Sequence, residues 1–173
     1  MVSFSLVYGR RAFVACRRLY QTIPIFLAFL IAVVLPVTPA VAGAFSPLTI
    51  DQTSGVQLEF QVELALTTRQ RQQGLMYRTE LAPDKGMLFI FPDIDRRAFW
   101  MRNVPIALDI IFLRKDGTVI NVVANAEPET DTSRPSTAPA KAVLELAGGR
   151  AKELGIAAGD IVRHVLLGNL TGK

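Results

Sequence analysis

Residues Val56 to Leu64 (VQLEFQVEL) alternate apolar and polar without a fault. Val56, Leu58, Phe60, Val62 and Leu64 share one face, while Gln57, Glu59, Gln61 and Glu63 share the other. A period of two sends successive side chains to opposite sides of an extended chain, so the segment is a half-buried β-strand.

Much of the remaining chain has the same character. Met87 to Phe91 (MLFIF), Ala98 to Met101, Leu108 to Leu113 (LDIIFL), Val119 to Ala124, Ala142 to Leu146 and Ile161 to Leu167 have the length and apolar content of strands. Turn residues separate them: Pro83-Asp84-Lys85-Gly86, Pro92-Asp93-Ile94-Asp95 and Lys115-Asp116-Gly117. Two short helices interrupt the pattern. Thr67 with Gln70 forms a capping-box pattern for a helix that Gly74 stops, and a single turn around Arg150 to Leu154 ends at Gly155. The expectation is a mainly β single domain, a sandwich or barrel, with one or two short helices. Ala126 to Ala140 is rich in Pro, Thr, Ser and Glu and lacks periodicity, so it reads as a long exposed loop, a rim or lid.

Charge is distributed unevenly. Of 19 Lys and Arg, Arg10, Arg11, Arg17 and Arg18 precede Gln21, while all 15 Asp and Glu lie at or after Asp51. From Gly43 onward the basic and acidic residues balance, which gives no electrostatic case for nucleic-acid binding. The arginines precede the apolar run Ile23 to Val37 and the small residues TPAVAGA, the pattern of an export signal. The run is shorter than the roughly 20 residues of a spanning helix. Residues 1–42 therefore read as a signal peptide, or as an anchor if uncleaved, with Ala40-Val41-Ala42 suggesting cleavage before Gly43 and Ala42-Gly43-Ala44 a cut two residues later. Residues 43–55 read as a lead-in and 56–173 as one β-rich domain. The expected location is periplasmic or secreted, inner-membrane anchored if the leader stays, with membrane contact only through that N-terminal segment.

Cys16 leaves with the leader, so the mature domain has neither disulfide nor thiol. His164 is the single histidine. No zinc site of usual composition, no G-x-S-x-G elbow and no phosphate or dinucleotide loop can be built, and no metal or cofactor is expected. His164 lies in the apolar segment IVRHVLL and reads more simply as a packed histidine than as a functional one.

Asp109 stands among apolar residues in LDIIFL, where an unpaired charge is very costly. Arg78 and Arg102 are its natural partners. The pair would be either a clamp between strands or the polar centre of a pocket. Trp100-Met101-Arg102-Asn103 could present a stacking face beside planar hydrogen-bonding groups, or Phe99 and Trp100 could straddle the sheet with one of them in the core. Met76, Met87 and Met101 could be soft-metal ligands, but without His or Cys nearby they read as core filling.

These motifs resemble a known family. Gln61-Val62-Glu63, Gly74-Leu75-Met76-Tyr77-Arg78, Gly86-Met87-Leu88-Phe89, Phe99-Trp100-Met101-Arg102-Asn103, Pro105 to Phe112, Val143-Leu144-Glu145-Leu146, Gly155-Ile156 and Gly159-Asp160 occur in the order found in the small exported proteins called domain of unknown function 192. The family usually has Thr where this chain has Val104, which removes a hydroxyl. The resemblance implies a compact, mostly β, exported domain and no defined activity or site.

The reading is an exported domain that binds a small polar or anionic envelope ligand on Arg78, Trp100, Arg102, Asn103 and Asp109. One alternative is a carboxylate-based hydrolase of envelope glycans using Asp109 with Glu145 or Glu63. Another is an accessory partner of an envelope protein complex, with an exposed apolar patch.

Overall fold

The alternating segment forms strand β2 (Gln57–Ala65) in the computed structural model, which describes residues 45–170. The expected signal segment, residues 1–42, lies outside the described residues. The other strands are β1 (Ser46–Asp51), β3 (Lys85–Asp95), β4 (Ala98–Phe99), β5 (Leu108–Leu113), β6 (Val119–Ala126), β7 (Arg134–Pro135), β8 (Ala140–Ala147) and β9 (Ile161–Arg163). Two short helices, α1 (Thr68–Gln73) and α2 (Arg150–Leu154), complete a mainly β domain.

Seven strands form one sheet in the order β6-β5-β8-β3-β2-β1-β9. All neighbours are antiparallel except β2 and β3. The sheet curls into a half-barrel, and its outer strands meet at one end. Thr118 bridges Ile161, the Val119 amide donates to Asp160 at 2.8 Å, and Val162 donates to Gly117 at 2.9 Å. Gly117 has φ 86, and a Cβ there would collide with the Val162 carbonyl, so a side chain would obstruct this closure.

Strand register sorts the core into two layers. Leu48, Ile50, Phe60, Val62, Leu88, Ile111 and Leu144 pack on one face with Ala151 of α2. Met87, Phe89, Ile110, Phe112 and Val143 pack on the other, covered by Leu75, Met101 and Val104 from the connections. β5 is buried at every position, which explains its continuous apolar sequence. Each fully buried Leu, Ile or Phe contributes about 1.5–3 kcal/mol relative to exposure.

Three features depart from expectation. β1 occupies the segment read as a lead-in and pairs with both β2 and β9, so the sheet begins at Ser46. β3 runs through the expected Pro92 turn, because its pairing with β8 is interrupted between Ile90 and Asp95, where a proline removes no ladder bond. The last strand stops at Arg163, where His164 Nδ1 accepts the Leu166 amide at 3.1 Å and caps a 3-10 turn, Val165–Leu167.

Candidate functional site

The capping box of α1 is formed as expected. Thr67 Oγ accepts the Gln70 amide at 3.2 Å, and Gln70 Oε1 accepts the Thr67 amide at 2.9 Å. Gly74 then turns the chain at φ 47 and passes close to Phe89, where a Cβ would lie 3.3 Å from the ring. The turn carries Leu75 and Met76 over the second core layer. Opposite them runs the segment from Arg96 to Val104. Phe99 contacts Phe89 edge-to-face at 5.2 Å and Phe112 at 6.0 Å between centroids. Trp100, the next residue, stays 54% exposed. Thus Phe99, partly buried, packs against the core and Trp100 faces outward.

A cleft of about 720 Å³ lies between these two segments. Phe89, Phe91 and Phe99 give it aromatic walls, with Trp100 and Met76 at its sides. Arg71, Arg96 and Arg97 line it as well, and Glu145 of β8 reaches it from the sheet. The long loop braces one wall. The Met101 amide donates to Thr130 at 2.9 Å, Ser136 donates to Arg97 at 2.7 Å, and β4 pairs with β7. Arg134, expected in an exposed loop, is buried; it donates to Thr132 and to Thr130 Oγ at 2.8 Å each.

Glu145 is the unusual group. It is 4% exposed, and its carboxyl has no hydrogen-bond partner among the described residues. Burial alone pushes its pKa up to about 8, so the acid is protonated at neutral pH. Such a carboxyl can donate through its hydroxyl and accept through its carbonyl, and it ionises when a cation approaches.

The arginines are arranged differently. Arg97 and Arg71 stack on the Phe91 ring at 4.1 and 5.3 Å from its centroid. Arg97 Nη2 also donates to Asp93 Oδ1 at 2.9 Å, which holds that carboxyl below the usual range. Arg97 Nε is buried and has no acceptor among the described residues. Arg71 donates to the Leu66 and Ile90 carbonyls. Arg96 donates weakly to the carbonyls of Ser136 and Thr137 at 3.4 and 3.2 Å.

The five residues chosen from sequence do not share one hollow. Trp100 alone lines the cleft. Arg102 lies beside it, with Cζ 4.9 Å from the indole, and donates to Asp131 at 2.8 Å. Arg78 pairs with Glu63 at 2.6 Å on β2. Asn103 acts through its backbone: at φ 58 its carbonyl accepts the Tyr77 amide at 2.7 Å, tying the two cleft segments together. Tyr77 is itself left-handed, at φ 63, a strained state for a tyrosine.

Asp109 needs the firmest correction. It meets neither Arg78 nor Arg102, being fully buried on the other face of the sheet. Oδ1 accepts the amides of Asn125 at 2.6 Å and Gly149 at 2.9 Å, and Oδ2 accepts Ala151 at 2.6 Å. The carboxylate therefore closes the start of α2 and fixes the β6 irregularity at Asn125, whose φ is 50. Its charge is balanced by peptide dipoles, so no guanidinium is required.

Register also separates the proposed carboxylate pairs. Asp109 pairs with Leu146, whereas Glu145 pairs with Ile110 and Met87, and Glu63 pairs with Met87. Glu63 and Glu145 thus share a face that Asp109 does not. No pair containing Asp109 can flank one substrate. The methionines build packing: Met87 and Met101 lie in the core and Met76 packs against it. Val104, the position lacking a hydroxyl, supplies an apolar part of the cleft.

The fold and the cleft define a small β-rich domain whose curled sheet carries a half-open hollow on one face. The chain belongs to the domain of unknown function 192 family (Uncharacterized ACR), whose model matches residues 49–164. A search of curated proteins returned no match. Among solved structures, a Novosphingobium aromaticivorans DSM 12444 protein of unknown function is 44% identical, with 73% of this chain and 90% of that one covered and a TM-score of 0.69. A Sinorhizobium meliloti 1021 protein, described provisionally as a transcription regulator, is 39% identical, with 72% and 96% covered and a TM-score of 0.69.

Proposed function

We propose that the cleft binds a small amphipathic ligand and that Glu145 is its polar anchor. Binding replaces the open contact of a nearly buried acid with a hydrogen-bonding partner. That single group carries the reading, because it is a nearly buried carboxyl that opens on the cleft and has no hydrogen-bond partner among the described residues. The apolar body of the ligand lies against Phe89, Phe99 and Trp100, in keeping with sites that are mostly apolar and have few polar groups. Arg96 and Arg97 meet its anionic part. The ligand is thus the polar or anionic solute expected from sequence, moved from the Asp109 group to the cleft, and an envelope solute if residues 1–42 act as the export signal their sequence pattern suggests. Exposed Tyr77, Ile94 and Trp100 would suit the partner-protein reading, yet the hollow beside Trp100 has the size and polarity of a small-molecule site.

Thermal-shift screening of the purified protein against sugars, amino acids, nucleotides, organic acids and metals tests this. A ligand that raises Tm in the native protein and fails to do so in Glu145→Gln and Trp100→Ala supports it. Hits indifferent to both substitutions, or a flat panel, would contradict it.

A further inference from the structure

We propose that the ligand is zwitterionic, with an ammonium group seated on Glu145 and an anionic group facing Arg96 and Arg97. This rests on the small-molecule reading above and names its ligand class.

The charge arrangement of the cleft is its basis. Glu145 is the acid reaching the cleft from the sheet, 4% exposed and without a hydrogen-bond partner among the described residues. The rings of Phe89 and Phe99, edge-to-face at 5.2 Å, line the same cleft. Ring faces attract cations, and a carboxylate beside them adds a full charge. An ammonium group meets both requirements.

The arginines impose the opposite demand. The charged groups around the cleft are Arg71 from α1, Asp93 from β3, Arg96 and Arg97 just after it, and Glu145 from β8. On the same face of the sheet, Glu63 is already paired with Arg78. Asp93 is held by Arg97, which leaves a surplus of positive charge among these groups. The guanidinium of Arg97 lines the cleft with that of Arg96, whose only hydrogen bonds among the described residues are the long ones to Ser136 and Thr137, so an anionic group finds donors there. A purely cationic ligand is repelled by the guanidinium groups, and a purely anionic one can only accept the hydroxyl of the protonated acid, without an opposite charge to pair with it. A ligand with both charges satisfies both ends.

Binding then carries a proton signature. The protonated Glu145 carboxyl meets an ammonium group, loses its proton to solvent and forms a carboxylate–ammonium pair, so charge and protons balance. With a carboxyl that titrates at about 8, about nine-tenths of the groups are protonated near neutral pH, and release approaches one proton per ligand.

Isothermal titration in buffers of different ionisation enthalpy measures that release. Three probes share one ring: 4-(aminomethyl)benzoate carries both charges, benzylamine only the ammonium group and benzoate only the carboxylate. The dipolar probe is expected to bind at least about tenfold more tightly than either of the others, releasing nearly one proton. Glu145→Gln, a near-isosteric change whose folding is checked by its own melting curve, should abolish the release and weaken binding about 10- to 100-fold. Arg97→Gln should weaken the two carboxylate probes and spare benzylamine. Equal or tighter binding of benzoate without proton release would overturn the zwitterion assignment and leave the ligand cleft standing. So would failure of all three probes alongside a Glu145-dependent hit in the screening panel. Failure of both probes and panel would remove both readings.

Discussion

Asp109 and Glu145 stand at adjacent registers of two paired strands, and their carboxyls face opposite sides of the sheet. One is satisfied by three backbone amides, whereas the other has no hydrogen-bond partner among the described residues. The first acid holds the architecture together. The second is the anchor assigned to the cleft.

Asp109→Asn tests the architectural role. An amide can accept through its oxygen, but its NH2 would face one or more backbone donors, leaving buried N–H groups unpaired. A loss of about 2–4 kcal/mol is expected in denaturant unfolding. The cleft lies on the other face, so ligand affinity in the folded fraction should be unchanged. An unaltered midpoint would show that the carboxylate is dispensable to α2.

Glu145 makes stability fall as pH rises from mildly acid to mildly alkaline. Its pKa rises from an ordinary 4.5 to about 8 on folding. Between those values the folded protein keeps a proton that the unfolded chain has released, so stability falls as pH rises through the window and levels off above it. The total is about 3–5 kcal/mol. Burial lowers the pKa of His164, which adds the opposite slope below its ordinary 6.5. The difference between native protein and Glu145→Gln is therefore the quantity to compare. The native protein should lose stability relative to the variant from about pH 5 to about pH 9, and parallel curves would count against the buried acid.

Trp100 is the only tryptophan and lies at the cleft, so its fluorescence should report occupancy directly. Arg102→Ala removes its stacked, exposed guanidinium and should leave stability nearly unchanged. Trp100→Ala should preserve the fold while weakening ligand binding about 5- to 20-fold, read by calorimetry. An unchanged emission spectrum at saturating ligand would remove Trp100 from the site.

Local pattern carried much of the fold. Alternation located β2, apolar runs located β5, β6 and β8, and Thr67 with Gln70 located the start of α1. β1 escaped notice because Ser46 to Asp51 is short, contains Pro47 and earns its place only through β2 and β9. The site was less legible for the same reason. Asp109 was recognised as a buried acid needing partners, but those partners are amides of Asn125, Gly149 and Ala151, whose positions follow from the sheet and the α2 turn. Glu145 gave an equal signal, a lone carboxyl inside the apolar run AVLELA, and was considered only as half of a catalytic pair. Arg96 and Arg97 are likewise ambiguous until their connection packs beside Phe91.

Carboxyl-detected NMR titration of Glu145 in the ligand-free protein tests the central claim most directly. The account predicts that this carboxyl stays protonated through neutral pH and titrates at about 8. Titration in the ordinary glutamate range would mean that Glu145 is solvated or paired, and the cleft would lose its anchor.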